Sequence, residues 1–363
     1  MDLRTLLSDV AGGHRLTEEE AVALLSVRDM RSLFRIFSVA DRLREERAGD
    51  IVTYVRNQNL HITNICKNLC GFCAFGRRET DPGAFCDDRE IILKKAALAA
   101  EREVSEICLL SGVHPRFDAG RYIQFLSWVR EAAPGVHLHA YSPDEVNHAA
   151  HLSGITTREV LEQMKSAGLG SLQGTAAEIL VDRVRGVICP NKVDTATWVR
   201  VIREAHSMGI PSTATIMYGS CESAADRIRH LAILREIQDQ TRGFSELVPL
   251  SYLHRNTALY RDGLAPAGAT GREDLLMFSL ARLFLDNFRN IQVSWGKIGE
   301  KLGQAGIMCG ANDLAGTMFS DDVSGDAGAV DADYLDPSGM ERMAEDAGRV
   351  LRRRLTDYTL APL

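Results

Sequence analysis

The chain has 363 residues, 45% of them hydrophobic and 25% charged, with a formal net charge of -7, an ordinary globular composition. Its acidic balance without a basic cluster excludes a nucleic-acid groove, and no stretch approaches the apolar length of a membrane helix. Residues 1–10 lack the basic flank and apolar run of a signal peptide, so a cytoplasmic location is expected, and eight cysteines, five of them scattered and three within eight residues, fit a reducing compartment better than a disulfide framework.

The first elements are helical. Thr17 offers an N-cap to Glu18, Glu19 and Glu20, and apolar residues then recur at helical spacing. A second helix is predicted over 29–48. A different rhythm follows, with strand candidates at 60–65, 106–110, 136–141, 170–173, 212–217, 245–250, 291–295 and 306–309. Between most of them lie helical patterns at 89–102, 121–133, 157–167, 195–208, 224–240 and 273–287. Strands alternating with helices imply a parallel sheet. The number and length of these units match an α/β fold of the (β/α)8 TIM-type barrel kind; loss of 170–173 and 306–309 would leave a six-strand open barrel. The expected organisation is an N-terminal helical segment (1–50), a barrel (51–320), and a loop with a C-terminal helix packed on the barrel (321–363). That last helix is placed at 340–355, with Arg352, Arg353 and Arg354 on its solvated face.

Cys66, Cys70 and Cys73 form a C-x3-C-x2-C cluster directly after the first barrel strand. Thiolates suit iron–sulfur clusters and zinc. Three protein ligands on a four-iron cubane leave one iron open for chemistry, and loops after barrel strands build active sites. The competing reading is a zinc knuckle, with Cys86 or His61 as a further ligand, although zinc sites usually present paired C-x2-C arms. A zinc-stabilised binding protein or an electron carrier would be the corresponding non-enzyme; a carrier needs four cysteine ligands.

This cysteine spacing, followed by an α/β barrel pattern, resembles the radical S-adenosylmethionine (SAM) superfamily. The likeness extends along nearly the whole chain. It includes Asn64-Ile65-Cys66, Cys73-Ala74-Phe75, Ser111-Gly112-Val113-His114-Pro115, 137–143, 174–180, Ile188-Cys189-Pro190-Asn191-Lys192, 249–257 and Gly310-Ala311-Asn312-Asp313-Leu314. Within that superfamily the chain is most similar to the CofH-type modules of deazaflavin (FO) synthases. Enzymes of the futalosine menaquinone pathway, or a paralogue with another aromatic substrate, are the alternatives.

The resemblance implies a 4Fe-4S cluster on Cys66, Cys70 and Cys73, with SAM on its open iron. It implies that an adenosyl radical cleaves L-tyrosine and that the 4-hydroxybenzyl fragment joins 5-amino-6-(D-ribitylamino)uracil, a step of coenzyme F-420 biosynthesis. It further implies a reductant protein and a separate CofG-type module for the next ring closure. Two departures stand out: Ser111-Gly112 where the family has Gly-Gly, and Ser220 where it has His.

Phe72, Ser111, Gly112 and Glu178 are candidate cofactor-binding residues. Phe72 matches the family's aromatic before the last cysteine, and Ser111-Gly112 resembles the Gly-Gly that meets the SAM amino group. A glycine ending a strand also permits close backbone approach. Glu178 follows the fourth strand, where an ordinary first-turn helix glutamate is the competing reading.

His137, His139 and Tyr141 share one face of a strand because side chains alternate. His139 and Tyr141 are expected to line the substrate pocket, against the alternative of a hydrogen-bonded interior layer. Asn256, Thr257, Asn312 and Asp313 follow later strands and could meet uracil and ribityl groups, with Asx turns as the competing reading. No residue stands out as the catalytic relay that quenches or passes on the radical.

Overall fold

The computed structural model describes residues 2–330 and 332–362. Three helices open the chain, Leu3–Ala11, Glu18–Leu25 and Met30–Ala48. The second starts with a capping box in which Thr17 and Glu20 satisfy each other's backbone N–H groups. The second and third pack on helix Gly271–Phe284, whose face is made of large apolar residues from Leu276 to Phe284.

The strands are β1 (Ile51–Val55), β2 (Asn57–Thr63), β3 (Glu106–Ser111), β4 (His137–Ala140), β5 (Ser171–Leu172), β6 (Ser212–Tyr218), β7 (Phe244–Ser251), β8 (Asp313–Gly316) and β9 (Val350–Arg354). β2 to β7 form one parallel sheet in chain order, and β8-β1-β9 form a second. Parallel bridges Leu247–Ile291 and Gln292–Asp313 join β7 to β8. Since β1 runs on into β2, the ring closes as a (β/α)8-type barrel. Each crossover between successive strands carries helix, as parallel pairing requires.

The apolar positions of β6, Ala214 and Ile216, are fully buried. So are the matching faces of the surrounding helices, such as Trp198, Val201 and Ile202. The core therefore lies between barrel and helices, while the other face of each strand points into the barrel. This division fixes what can line a central cavity.

Three expectations change. The 306–309 stretch belongs to helix Glu300–Ile307 and the turn after it, and the last barrel strand is β8. A short apolar run reads alike as a buried helix or a strand. Gly306 lets this helix pack closely, because a Cβ there would come within 2.9 Å of Val293. The 291–295 segment pairs only at Ile291 and Gln292 before the turn Trp295–Ile298.

At the C-terminus, the helix is Pro337–Asp346 and the chain then forms β9, parallel to β1. Arg354 is not on a solvated helix face. It is 2% exposed and enters the barrel, where its Nε donates to Asp313 at 2.5 Å and Tyr358 stacks on the guanidinium at 3.9 Å. The C-terminal segment thus completes the lower end of the barrel rather than merely resting on it.

Candidate active site

The cysteine loop leaves the end of β2 and is tied down on three sides. The N–H of Cys66 donates to the carbonyl of Arg77 (2.9 Å) and that of Lys67 to Val113 beyond β3 (2.8 Å). Gly71 donates to Ile188 (3.0 Å) and accepts from Leu259 (2.8 Å). Asn68 donates through its side chain to Asp144, and its carbonyl accepts from Asn191 at 3.1 Å. The 188–192 segment, notable in sequence only as part of a likeness, is therefore the clamp on the cysteine loop.

Gly112 is required by close approach. A Cβ there would lie 2.4 Å from the carbonyl oxygen of Ile65 and 3.1 Å from Cβ of Cys66, so only glycine lets the end of β3 lie against the loop. Ser111 donates its hydroxyl to the Gly112 carbonyl at 2.7 Å and fixes that turn.

Cys70 is buried, and Cys66 and Cys73 are half-buried. Burial pushes the thiols of Cys70 and Cys73 above their usual range, so bound iron would be what holds them as thiolates. Among the described residues no three His, Cys, Asp or Glu side chains converge to hold a single metal ion. Gly76 packs against Cys66 and Cys73, and its N–H donates to Sγ of Cys73 at 3.4 Å. Three closely spaced cysteine thiols fit the donor set of an iron–sulfur cluster with one open iron. Cys86 is exposed and lines a separate surface cleft with His114 and Arg116.

Phe72 and Cys73 line one end of a cavity of about 350 Å³ inside the barrel. Lys192 stands over the Phe72 ring at 5.4 Å and donates to Glu178 at 2.6 Å. Ala176 and Glu178 take left-handed backbone conformations (φ +63° and +45°). The buried Arg185 holds this bend by donating to the carbonyls of Ala176 (3.0 Å) and Ala177 (2.5 Å). A cation, a carboxylate and an aromatic ring thus meet beside the cysteine loop.

Deeper in, His139 lines the cavity, with Nδ1 2.7 Å from the Ser171 hydroxyl. Burial lowers its pKa to about 4, so the imidazole is neutral near pH 7. His137 shares the same hydroxyl at 2.8 Å. The far end holds Glu106, Glu246, Gln292, Arg354 and Thr356.

Phe72, Glu178 and His139 thus meet on one cavity, with Cys73, and Gly112 backs the cysteine loop. Five other expected contacts go elsewhere. Tyr141 has φ +60°, which breaks the strand alternation; its ring turns outward and its hydroxyl donates to the Tyr122 carbonyl at 2.7 Å. Asn256 is exposed and donates to the Asp326 carbonyl at 2.8 Å. Thr257 caps helix Ala258–Arg261.

Asn312 is consumed by Arg282 (2.8 Å), the Ile291 N–H (2.9 Å) and Asn290 (3.1 Å), and Asp313 by Arg354 and Thr53. The Ser220 hydroxyl donates to Glu222 at 2.8 Å within its own loop, and its side chain is absent from the cavity wall. Sequence reading missed Glu246 and Arg354 as cavity-lining groups and Lys192 as the partner of Glu178.

Residues 60–234 match the radical SAM superfamily, and residues 241–363 match the CofH/MqnC C-terminal region. The chain is 60% identical to a 5-amino-6-(D-ribitylamino)uracil–L-tyrosine 4-hydroxyphenyl transferase of Methanoculleus marisnigri, covering 99% of this chain and 98% of that one. A protein of the same name from Methanocaldococcus jannaschii is 42% identical over 95% of this chain and 97% of its own. Among solved structures, methylornithine synthase (PylB) superposes with a TM-score of 0.73 at 19% identity, covering 96% of this chain and 97% of that one. The hydrogenase maturase HydG gives 0.76 at 15%, covering 96% and 76%. These two likenesses speak to the fold.

Proposed function

The chain belongs to the radical SAM superfamily, in its 5-amino-6-(D-ribitylamino)uracil–L-tyrosine 4-hydroxyphenyl transferase family, and on that premise we propose how its residues serve the transfer. The activity joins the 4-hydroxybenzyl group of L-tyrosine to 5-amino-6-(D-ribitylamino)uracil in deazaflavin (FO) biosynthesis. The observation that carries this reading is near full-length identity to the transferases, together with a cysteine loop that opens onto a barrel cavity.

Cys66, Cys70 and Cys73 would hold the 4Fe-4S cluster, which with SAM supplies a 5'-deoxyadenosyl radical that takes a hydrogen atom from tyrosine. The residues around it bind and shield. Phe72, Ser111, Gly112 and Glu178 form the SAM side; Lys192 fixes the Glu178 carboxylate so that its remaining oxygen can meet a hydroxyl or ammonium group. Val248, Leu250 and Met217 make an apolar wall that keeps water from the tyrosyl fragments as the Cα–Cβ bond breaks to 2-iminoacetate. Neutral His139, oriented by Ser171, can hydrogen-bond a polar ring without adding charge.

A separate CofG-type module closing the deazaflavin ring, a reductant protein as electron source, and a cytoplasmic location complete the reading. The single C-x3-C-x2-C of this chain supports the first. Among the described residues no helix is long and apolar enough to cross a membrane.

Anaerobic protein reduced with SAM, tyrosine and the ribityl-aminouracil should form 5'-deoxyadenosine, 2-iminoacetate hydrolysis products and the benzylated uracil. Formation of 5'-deoxyadenosine without any benzylated uracil overturns the substrate assignment.

A further inference from the structure

We propose that the floor of the barrel cavity is the subsite for the ribityl polyol of the acceptor, with Glu246 as its principal hydrogen-bonding group; the inference rests on the transferase reading above.

Glu246 lines the cavity from the start of β7 and is 5% exposed. Its protein partners leave it under-satisfied. Arg354 turns its guanidinium to Asp313, with Nε at 2.5 Å and Nη2 at 3.2 Å. Glu246 has long contacts of 3.5 Å to Nη2 of Arg354 and 3.4 Å to Nε2 of Gln292, and the Tyr358 hydroxyl lies beside it. Buried carboxylates normally accept several short bonds. This one faces open cavity volume without a short bond to Arg354 or Gln292, and burial raises its pKa to about 7, so it can accept from or donate to a hydroxyl.

The position selects the ligand part. Glu246 and Ser251 both line the cavity on β7, and five residues of strand span roughly 16 Å. The cysteine loop stands at the Ser251 end. Tyrosine must lie there, because hydrogen transfer needs near van der Waals contact. The floor is left for the portion of the acceptor that extends away from its reacting ring carbon.

The chemistry selects a polyol. Glu246 and Glu106 offer acceptors, while Arg354, Gln292 and Asn57 offer donors. Hydroxyl groups use both. An anion would meet an excess of carboxylates, and an amine would meet donors it cannot use.

The test compares wild type with Glu246→Gln and Gln292→Leu. The probes are the ribityl-aminouracil and 5,6-diaminouracil, which lacks the polyol. For Glu246→Gln the expected result is a rise in KM and Kd for the ribityl acceptor of about tenfold or more, the size of a lost charge-assisted bond. The values for 5,6-diaminouracil, and 5'-deoxyadenosine formation with tyrosine alone, should be unchanged. Equal weakening of both acceptors, or loss of tyrosine-driven 5'-deoxyadenosine at full iron content, overturns the proposal and points to an amine or to tyrosine at the floor.

If Glu246→Gln does not fold, Gln292→Leu should show the same selective loss, about threefold for a weaker neutral contact; unchanged affinity for the ribityl acceptor overturns the proposal. Calorimetry without SAM separates the two readings. Glu246-dependent binding of the ribityl compound by protein that makes no benzylated product sinks the transferase reading alone.

Discussion

The two ends of the barrel cavity are built by opposite means. The cluster end is made by one contiguous loop, Cys66 to Gly76, braced by Gly112 and the 188–192 segment. The floor is assembled from strands far apart in the chain: Glu106 on β3, Glu246 on β7, Asp313 on β8 and Arg354 on β9. The first is a short-range motif that the fold must position; the second exists only because the fold closes. Damage at the cluster end should therefore remove chemistry and spare the barrel, while damage at the floor should weaken the barrel itself.

The sharpest break is Cys70→Ala. It should lose bound iron and all 5'-deoxyadenosine formation, with the circular-dichroism spectrum retained; iron content measured beside the spectrum checks this. Cys86→Ala should leave iron intact, since that thiol lies on another surface. Next comes Gly112→Ala, whose methyl group would meet backbone rather than a yielding side chain. SAM cleavage should fall about a hundredfold, the effect of an ångström-scale displacement at a reacting centre, read as single-turnover 5'-deoxyadenosine.

At the floor, Arg354→Met leaves Asp313 and Glu246 buried without their cation. Unfolding free energy should drop by about 3–5 kcal/mol, measured by urea denaturation. An unchanged midpoint would remove the claimed contrast between the two ends.

The pH dependence is finer. Burial, the largest cause, raises the Glu246 pKa from 4.5 to about 7 despite Arg354. The folded state thus holds a proton that the unfolded state releases between those values. That contribution is complete below pH 4.5 and fades as pH rises toward 7. Glu246→Gln should accordingly gain stability relative to wild type across that window, seen as a growing difference in unfolding midpoints.

The smallest effect is expected of Tyr141→Phe. It removes one bond to the Tyr122 carbonyl, costing about 1 kcal/mol, and should leave KM for both substrates alone because the ring faces the helix layer.

Legibility in the sequence followed the same divide. Cys66, Cys70 and Cys73 stood out as candidate ligands because the three lie within eight residues. The strand–helix rhythm exposed most of the barrel because parallel strands are apolar runs between amphipathic helices. Alternation put both His139 and Tyr141 on the cavity face; His139 lines the cavity, and Tyr141 does not, since one left-handed residue at a strand end reverses a side chain. Asn312 and Asp313 carried the right chemistry for a substrate, yet Arg282 and Arg354 had already taken them. The run Arg352 to Arg354 looked like a charged helix face, because nothing local distinguishes a solvated arginine from one that will find a buried carboxylate.

By itself, then, the sequence determined the cysteine cradle, the parallel α/β barrel and the family likeness, all of which rest on short-range spacing or periodic burial. Only the tertiary structure decided which polar groups face the cavity, that 188–192 clamps the cysteine loop, and that the C-terminal strand delivers Arg354 to the floor. Such pairings join residues far apart in the chain, and no periodicity encodes which buried charge will meet which partner once the ring has closed.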